Sequence, residues 1–98
     1  MRFSEAIDHV QSGKRVARTA WAGRGVFLVY VPGSSFPITA DRPMGQAMPE
    51  RVGQTAKYHP HIDIVSGGGS SVMPWTPTQA DMFATDWWPF EPTVAAAG

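Results

Sequence analysis

Three potential metal ligands stand at alternate positions in His59-x-His61-x-Asp63. In an extended strand they would share one face, because strand side chains alternate with a period of two. A hydrolytic centre of the form His-x-His-x-Asp-His would need a further His where Ile64 stands, and only His9 remains elsewhere to complete a set. Pro60 also interrupts the strand. The plainer reading is a polar strand face, or an Asp63 held by an arginine such as Arg18. Nucleophilic chemistry has less support: Ser34, Ser35, Ser70 and Ser71 lie in turn-like sequence, with no strand–elbow–helix setting around them. No phosphate-cradling glycine loop follows a strand. Gly23-x-Gly25 reads as a turn, and Gly67 to Gly69 as a linker.

A second set of residues points to binding. Trp21 has Arg18 three positions before it and Arg24 three after; Trp75 is followed by Gln79 and Asp81, and Trp87 and Trp88 come soon after. Flat aromatic faces stack on bases, at about 1–3 kcal/mol each. Arginine forks hold phosphates, and Asp and Gln read hydroxyls or base edges. Free N–H groups at a helix start near Thr76–Gln79 would suit an anion. Against this, a single Trp is more often core than ligand shelf. Adjacent Trp87 and Trp88 cannot both face the core of a strand, so one of them is expected at a subunit interface.

The elements that would position these groups follow from pattern. Ser4 to Gly13 reads as a helix, with Ser4 as N-cap and Phe3, Ala6, Ile7 and Val10 on its apolar face. Gly13 suits the left-handed residue after the last turn. Val16–Ala20 reads as a short strand and Val26–Val31 as a central one, since it is apolar throughout. Ser35–Thr39 is an expected edge strand, because Pro37 lacks an N–H. The stretch Ala40 to Lys57 shows no steady period and reads as an 18-residue loop. Tyr58–Val65 and Val72–Trp75 are expected strands joined across Ser66–Ser71. Thr76-x-x-Gln79 reads as a capping box with Pro77 at the first helical position; Ala80, Phe83 and Ala84 would be that helix's buried stripe. Asp86–Phe90 closes as a short strand. The expected class is α+β: a small antiparallel sheet with an N-terminal helix and a short C-terminal helix. One domain would span residues 1–90, with 91–98 a flexible tail.

Composition narrows the classes further. The chain has 98 residues, 8 Lys or Arg, 8 Asp or Glu, and no Cys. Zero formal charge disfavours binding to nucleic acid polymers. The lack of Cys excludes disulfides, thiolate nucleophiles and cysteine zinc sites. No apolar run is long enough for a membrane span, and no signal peptide is apparent. The zero is uneven: residues 1–25 carry a balance of +3 and residues 26–98 one of −3. A compact domain would then present one basic patch able to hold a small anion, the plainer reading being ordinary surface charge. So small a chain buries a modest core, which favours oligomerisation.

The ordered motifs resemble a known family. They are Phe3-x-Glu5-Ala6, Gly13-Lys14-x-Val16-Ala17-Arg18-x-x-Trp21-x-Gly23-x-Gly25, Phe27-Leu28, and Val31-Pro32-Gly33-Ser34. Pro60-His61-Ile62-Asp63 and Pro74-Trp75-x-x-x-x-Gln79-x-Asp81-x-x-Ala84-x-Asp86-Trp87 complete the set. Together, over roughly residues 1–88, the chain resembles the phage Thoeris anti-defence two family. The resemblance implies a non-catalytic sponge in the cytoplasm of an infected bacterial host. Such a protein sequesters immune cyclic nucleotides, chiefly glycocyclic ADP-ribose and in some members cyclic dinucleotides, without cleaving them. It implies a homo-oligomer, usually a tetramer, with pockets at subunit interfaces and no cofactor or metal. By carry-over the ligand-binding candidates are Trp21, Arg18, Trp75, Gln79 and Asp81. Arg24 and Phe27 join them on physical grounds, and Asp63 and His61 more weakly. Rival readings are a metal-dependent nucleotide hydrolase using His59, His61 and Asp63, and a phage structural or interaction module.

Overall fold

The computed structural model describes residues 1–90. The expected tail, 91–98, lies outside the described residues. Helix α1 (Phe3–Gln11) is followed by β1 (Val16–Arg18), β2 (Phe27–Val31), β3 (Ser34–Pro37), α2 (Pro43–Ala47), β4 (Thr55–Tyr58), β5 (His61–Ser66), β6 (Ser71–Pro74), α3 (Gln79–Phe83) and β7 (Trp87–Pro89). Five strands form one antiparallel sheet in the order β6-β5-β2-β1-β7; β3 and β4 pair separately. The α+β class, the N-terminal helix and the short C-terminal helix are as the sequence implies.

Strand β2 is central because both its faces are apolar and both neighbours pair with it: Leu28 with Val16 on one side and with Ile64 on the other. Its even-numbered residues face α1. Leu28 is buried with Ala6, Val10, Val16 and Trp87, and Tyr30, Ile62, Ile64 and Trp75 pack around them. The odd-numbered face carries a smaller cluster of Ala17, Phe27 and Val65, with Val29 and Phe90 against it.

Several expected boundaries move, each for a physical reason. Ser4 is not the cap of α1. Arg2 takes that position, and its backbone N–H donates to the Glu5 carboxylate at 2.8 Å. Gly13 does adopt φ 93° just past the helix. The first strand ends at Arg18, and Thr19–Trp21 close into a 3-10 turn.

Ala40–Lys57 is not a structureless loop. Thr55–Tyr58 pairs antiparallel with Ser34–Pro37, α2 starts on Pro43, and a 3-10 turn spans Pro49–Arg51. Helical turns of three to five residues are too short to show an apolar period. Glycine makes the packing possible here: a Cβ on Gly45 would lie 1.9 Å from the Thr39 carbonyl oxygen. The expected single strand Tyr58–Val65 is broken at His59-Pro60. Opposite that break stands Pro32-Gly33, between the pairs Val31↔His61 and Ser34↔Tyr58. The β3–β4 ribbon thus continues the β2–β5 pair beyond a proline break in both strands. The radius of gyration is 16.9 Å, against ~12.5 Å for a compact chain of this length, as a projecting arm requires.

The C-terminal helix begins at Gln79, not Pro77. Thr78 is the N-cap, its Oγ1 accepting from the Asp81 N–H at 3.1 Å while Asp81 accepts from the Thr78 N–H at 2.9 Å. The run Thr-Pro-Thr-Gln-Ala-Asp holds two overlapping boxes, and tertiary pairing of Asp81 selects the second. The expected buried stripe is also displaced. Phe83 is 82% exposed, Ala80 is exposed and Ala84 half-buried, while Asp81 is the buried residue of that turn.

Candidate functional site

Three tryptophans and Phe3 meet where α1, α3 and β7 close over the sheet. Trp87 is buried, and its ring stands edge-on to Trp21 (centroids 5.4 Å apart, 83° between planes) and to Trp75 (6.0 Å, 82°). Trp21 and Trp75 are themselves 6.5 Å apart at 78°. Phe3 lies 5.7 Å from Trp87 and 6.3 Å from Trp75. Edge-to-face contacts suit the ring quadrupoles, at about 0.5–1.5 kcal/mol per pair beyond burial. The Trp87 Nε1–H donates to the Asp81 carbonyl at 2.9 Å. Trp21 and Trp75 are half-buried, so part of each ring stays accessible to solvent.

An ion-pair hub locks this cluster. Arg18 donates from Nη1 to Asp81 and from Nε to Asp86, each at 2.9 Å. Asp86 also accepts from the Ala20 N–H at 3.1 Å, and its carbonyl accepts from the Thr19 N–H and hydroxyl at 3.0 Å. The hydrogen bonds from Arg18 to Asp86 and Asp81 raise the Arg18 pKa above its ordinary value. Burial pushes the Asp81 carboxyl upward, but the Thr78 N–H, Arg18 and the Thr78 hydroxyl outweigh it and hold that pKa below the usual range. At Asp86 burial again pushes the carboxyl upward, and Arg18 and the Ala20 N–H outweigh it and hold that pKa below the usual range as well. Arg18 is thus committed to two carboxylates, and Asp81 to Arg18 and the helix cap. Arg18 does not hold Asp63, which the sequence left as one option.

Two clefts flank the hub. One, of about 370 Å³, is lined by Phe3, Tyr30, Pro60, His61, Trp75 and Pro77, with Gln11 at its polar side. The other, of about 410 Å³, is lined by Ala17, Arg18, Trp21, Trp88, Phe90 and the glycines 23 and 25. Arg24 is exposed between those two glycines, which adopt φ 80° and 64°. The candidates therefore divide. Trp75 and His61 share the first cleft; Arg18 and Trp21 share the second, with Arg24 beside it. Gln79 is exposed at the start of α3, next to the hub through Asp81. Phe27 lines neither cleft: it is buried on the outer sheet face, under the Arg15 guanidinium (4.5 Å) and stacked on Phe90 (4.9 Å).

The histidine motif does not assemble as one row. His59 lies in the break between β4 and β5, outside the strand that carries His61 and Asp63. The His61 Nδ1 faces the His59 carbonyl at 3.0 Å, its Nε2 faces Asp63 at 3.5 Å, and the Tyr58 ring lies 4.8 Å away. Among the described residues, no group of three or more His, Asp and Glu side chains could hold a metal.

Sequence reasoning passed over Asp86, Tyr30 and the central role of Trp87. Asp86 stands immediately before Trp87 in the motif set, and Tyr30 shares the parity of Leu28. Both signals were present, but neither reveals which partner lies across the fold. Among the described residues, no helix is long and apolar enough to cross a membrane.

Comparison with known proteins gives the arrangement its context. The chain is 28% identical over 87 residues to Thoeris anti-defense 2 of Bacillus phage SP01, covering 89% of this chain and 91% of that protein. The family model for the Thoeris anti-defense 2-like domain matches residues 1–88, which include every residue of the hub and both tryptophan-lined clefts apart from Phe90. The chain belongs to the family of Thoeris anti-defense 2-like domains.

Proposed function

We propose that this protein is a phage anti-defence protein that binds an immune cyclic nucleotide signal and withholds it intact from its effector. Membership of the Thoeris anti-defense 2-like family supports the anti-defence role. The observation that carries the binding part is the first cleft. Its volume of about 370 Å³ falls within the range of small-molecule sites. Its aromatic walls, Trp75, Tyr30 and Phe3, offer base-stacking faces, and His61 and Gln11 supply the few polar groups that fix orientation. The ligand class proposed is glycocyclic ADP-ribose or a cyclic dinucleotide, held without cleavage, cofactor or metal, in the host cytoplasm. With Arg18 already paired, the exposed Arg24 beside the second cleft is the better placed cation for a phosphate there. The assembly proposed is a homo-oligomer, a tetramer.

Sequestration needs tight binding, since a dissociation constant near 1 nM corresponds to about −12 kcal/mol. The test incubates the protein with each nucleotide, removes unbound ligand by filtration, and denatures the protein by heat. Release of unaltered nucleotide supports sequestration; altered nucleotide or none sinks it. A Trp75→Ala variant is expected to lose at least about tenfold in affinity, from one lost stacking contact. Trp21→Ala is the matched control for the second cleft. An unchanged affinity in Trp75→Ala with a loss in Trp21→Ala would move the site.

A further inference from the structure

We infer that His61 is the charge that makes the first cleft select an anionic ligand, with the His59 carbonyl and Asp63 holding its ring in the doubly protonated form. This rests on the reading of that cleft as the nucleotide site. It names the group that sets the ligand class there and the response of binding to pH.

The first observation is the composition of the walls. Of the residues that line the cleft, only His61 can carry a positive charge. The ionisable residues of α1, Glu5, Asp8 and His9, are not among them. Aromatic walls and Gln11 suffice for a neutral base and ribose. A phosphate is different, because an anion drawn out of water needs a cation or several donors against it. The charge preference of this cleft therefore rests on one imidazole.

The second observation is how that imidazole is held. His61 opens β5 directly after Pro60 and is half-buried. Its Nδ1–H donates to the His59 carbonyl at 3.0 Å, and its Nε2 faces Asp63 Oδ1 at 3.5 Å. A carbonyl and a carboxylate bring no proton of their own. A neutral imidazole has one N–H and one bare nitrogen. With Nδ1–H spent on the carbonyl, the bare nitrogen of a neutral ring would point at the carboxylate, lone pair against lone pair. The imidazolium satisfies both sides. The Tyr58 ring lies 4.8 Å away, and an aromatic face attracts a cation. The ionisable groups around His61 are thus Asp63 on its own strand, Tyr58 on β4 and, in the same cleft, Tyr30 on β2. From α1 come Phe3, Ile7 and Gln11, and from the segment after β6 Trp75 and Pro77, none of them charged.

The two contacts are unequal. The Asp63 distance exceeds the roughly 2.7–3.2 Å of a formed N–H···O bond, so Nδ1–H is fixed while Nε2–H is loosely held. A phosphate oxygen entering the cleft takes Nε2–H, and Asp63, which does not itself line the cleft, keeps the ring charged. Asp63 is a positioning residue in this scheme. An imidazolium has no lone pair to accept a proton or to attack phosphorus. The same geometry that attracts the anion thereby leaves it intact.

The test titrates the full chain calorimetrically with glycocyclic ADP-ribose and with cyclic di-adenylate, and with adenosine as the uncharged counterpart. Titrations run from about pH 5.5 to about pH 8.5, across the ordinary imidazole range. Diester phosphates keep their charge throughout, lacking the second proton that a phosphomonoester loses at roughly pH 6. Affinity for at least one of the two nucleotides should fall by about tenfold or more as pH rises, from loss of a charge-assisted hydrogen bond. His61→Gln keeps a donor without the charge and should flatten the profile at the weaker level. Asp63→Asn should move the fall in affinity to lower pH. Circular dichroism verifies folding, and the profile of the parent chain decides should His61→Gln unfold. Binding that does not vary with pH, or that varies as much in His61→Gln, overturns the inference and leaves sequestration standing. An equal fall for adenosine overturns the selection of an anion. An unmoved profile in Asp63→Asn overturns the part given to Asp63. Failure to bind either nucleotide at any pH overturns the proposed function, and this inference with it.

Discussion

The two faces of the main sheet are built from the same strands yet hold in different ways. The inner face is closed. Leu28, Val16 and Trp87 sit under α1, and the tryptophans interlock above the Arg18–Asp81–Asp86 hub. The outer face is apolar too, but only its centre is covered, by Phe90 and Arg15 over Phe27, while Trp88 and Val72 stay open to solvent. An antiparallel sheet with one wet face alternates apolar and polar residues. Strand β2, with Phe27, Leu28, Val29, Tyr30 and Val31, does not alternate. A strand that is apolar on both sides asks for cover on both sides, and this fold supplies one helix layer. Core stability should therefore reside on the inner face more than on the outer one.

The sharpest way to break this division is Trp87→Ala. It removes the ring on which Trp21, Trp75 and Phe3 converge, and should cost about 3–5 kcal/mol in denaturant unfolding. A loss near 1 kcal/mol would mean that the cluster does not organise the core. Arg18→Met comes next. It leaves Asp81 buried without its cation, and about 2–3 kcal/mol is expected, less than for a fully enclosed pair because Asp86 is partly exposed.

The acid limb of the stability curve reports the same hub. Arg18 and neighbouring backbone N–H groups hold both aspartates below the usual carboxylate range in the folded chain. Their contribution is complete above the unfolded value and is lost as pH falls through the folded ones. Arg18→Met should move the acid unfolding midpoint upward; an unchanged midpoint would show that the pairs carry no linkage. On the outer face, Trp88→Ala should change the stability of a dilute, dissociated chain by less than about 1 kcal/mol. A larger loss would make Trp88 a core residue and erase the contrast. Phe83→Ser, at an 82% exposed position, should stay within about 0.5 kcal/mol, measured in the same way.

Much of the frame was legible because it rests on short-range pattern. The central position of β2 follows from unbroken apolar sequence, the β5–β6 hairpin from the Ser66–Ser71 run, and the end of α1 from Gly13. The arm was not legible. Its order depends on close approaches, such as Gly45 against Thr39 and Gly33 within 2.9 Å of the Tyr58 carbonyl for an added Cβ, and such approaches leave no periodic trace. The start of α3 was misplaced by two residues because two capping boxes overlap, and the ion pair from Arg18 chooses between them. The candidate site divided for a related reason. Trp21 and Trp75 are neighbours in space, 6.5 Å apart, yet each lines a different cleft, so residues that meet in one cluster serve different walls.

By itself, the sequence determined the class of fold, the central strand and the family. These depend on residue type and on spacings within a few positions. Only the tertiary structure decided that Arg18 spends its charge on Asp81 and Asp86, that Phe27 lies on the sheet face opposite Trp75 and Trp87, and that Arg15 and Asp63 share a row without meeting. Those outcomes join residues dozens of positions apart through strand register and burial. A local pattern can nominate such residues, but cannot say which of them will already be satisfied once the chain has closed.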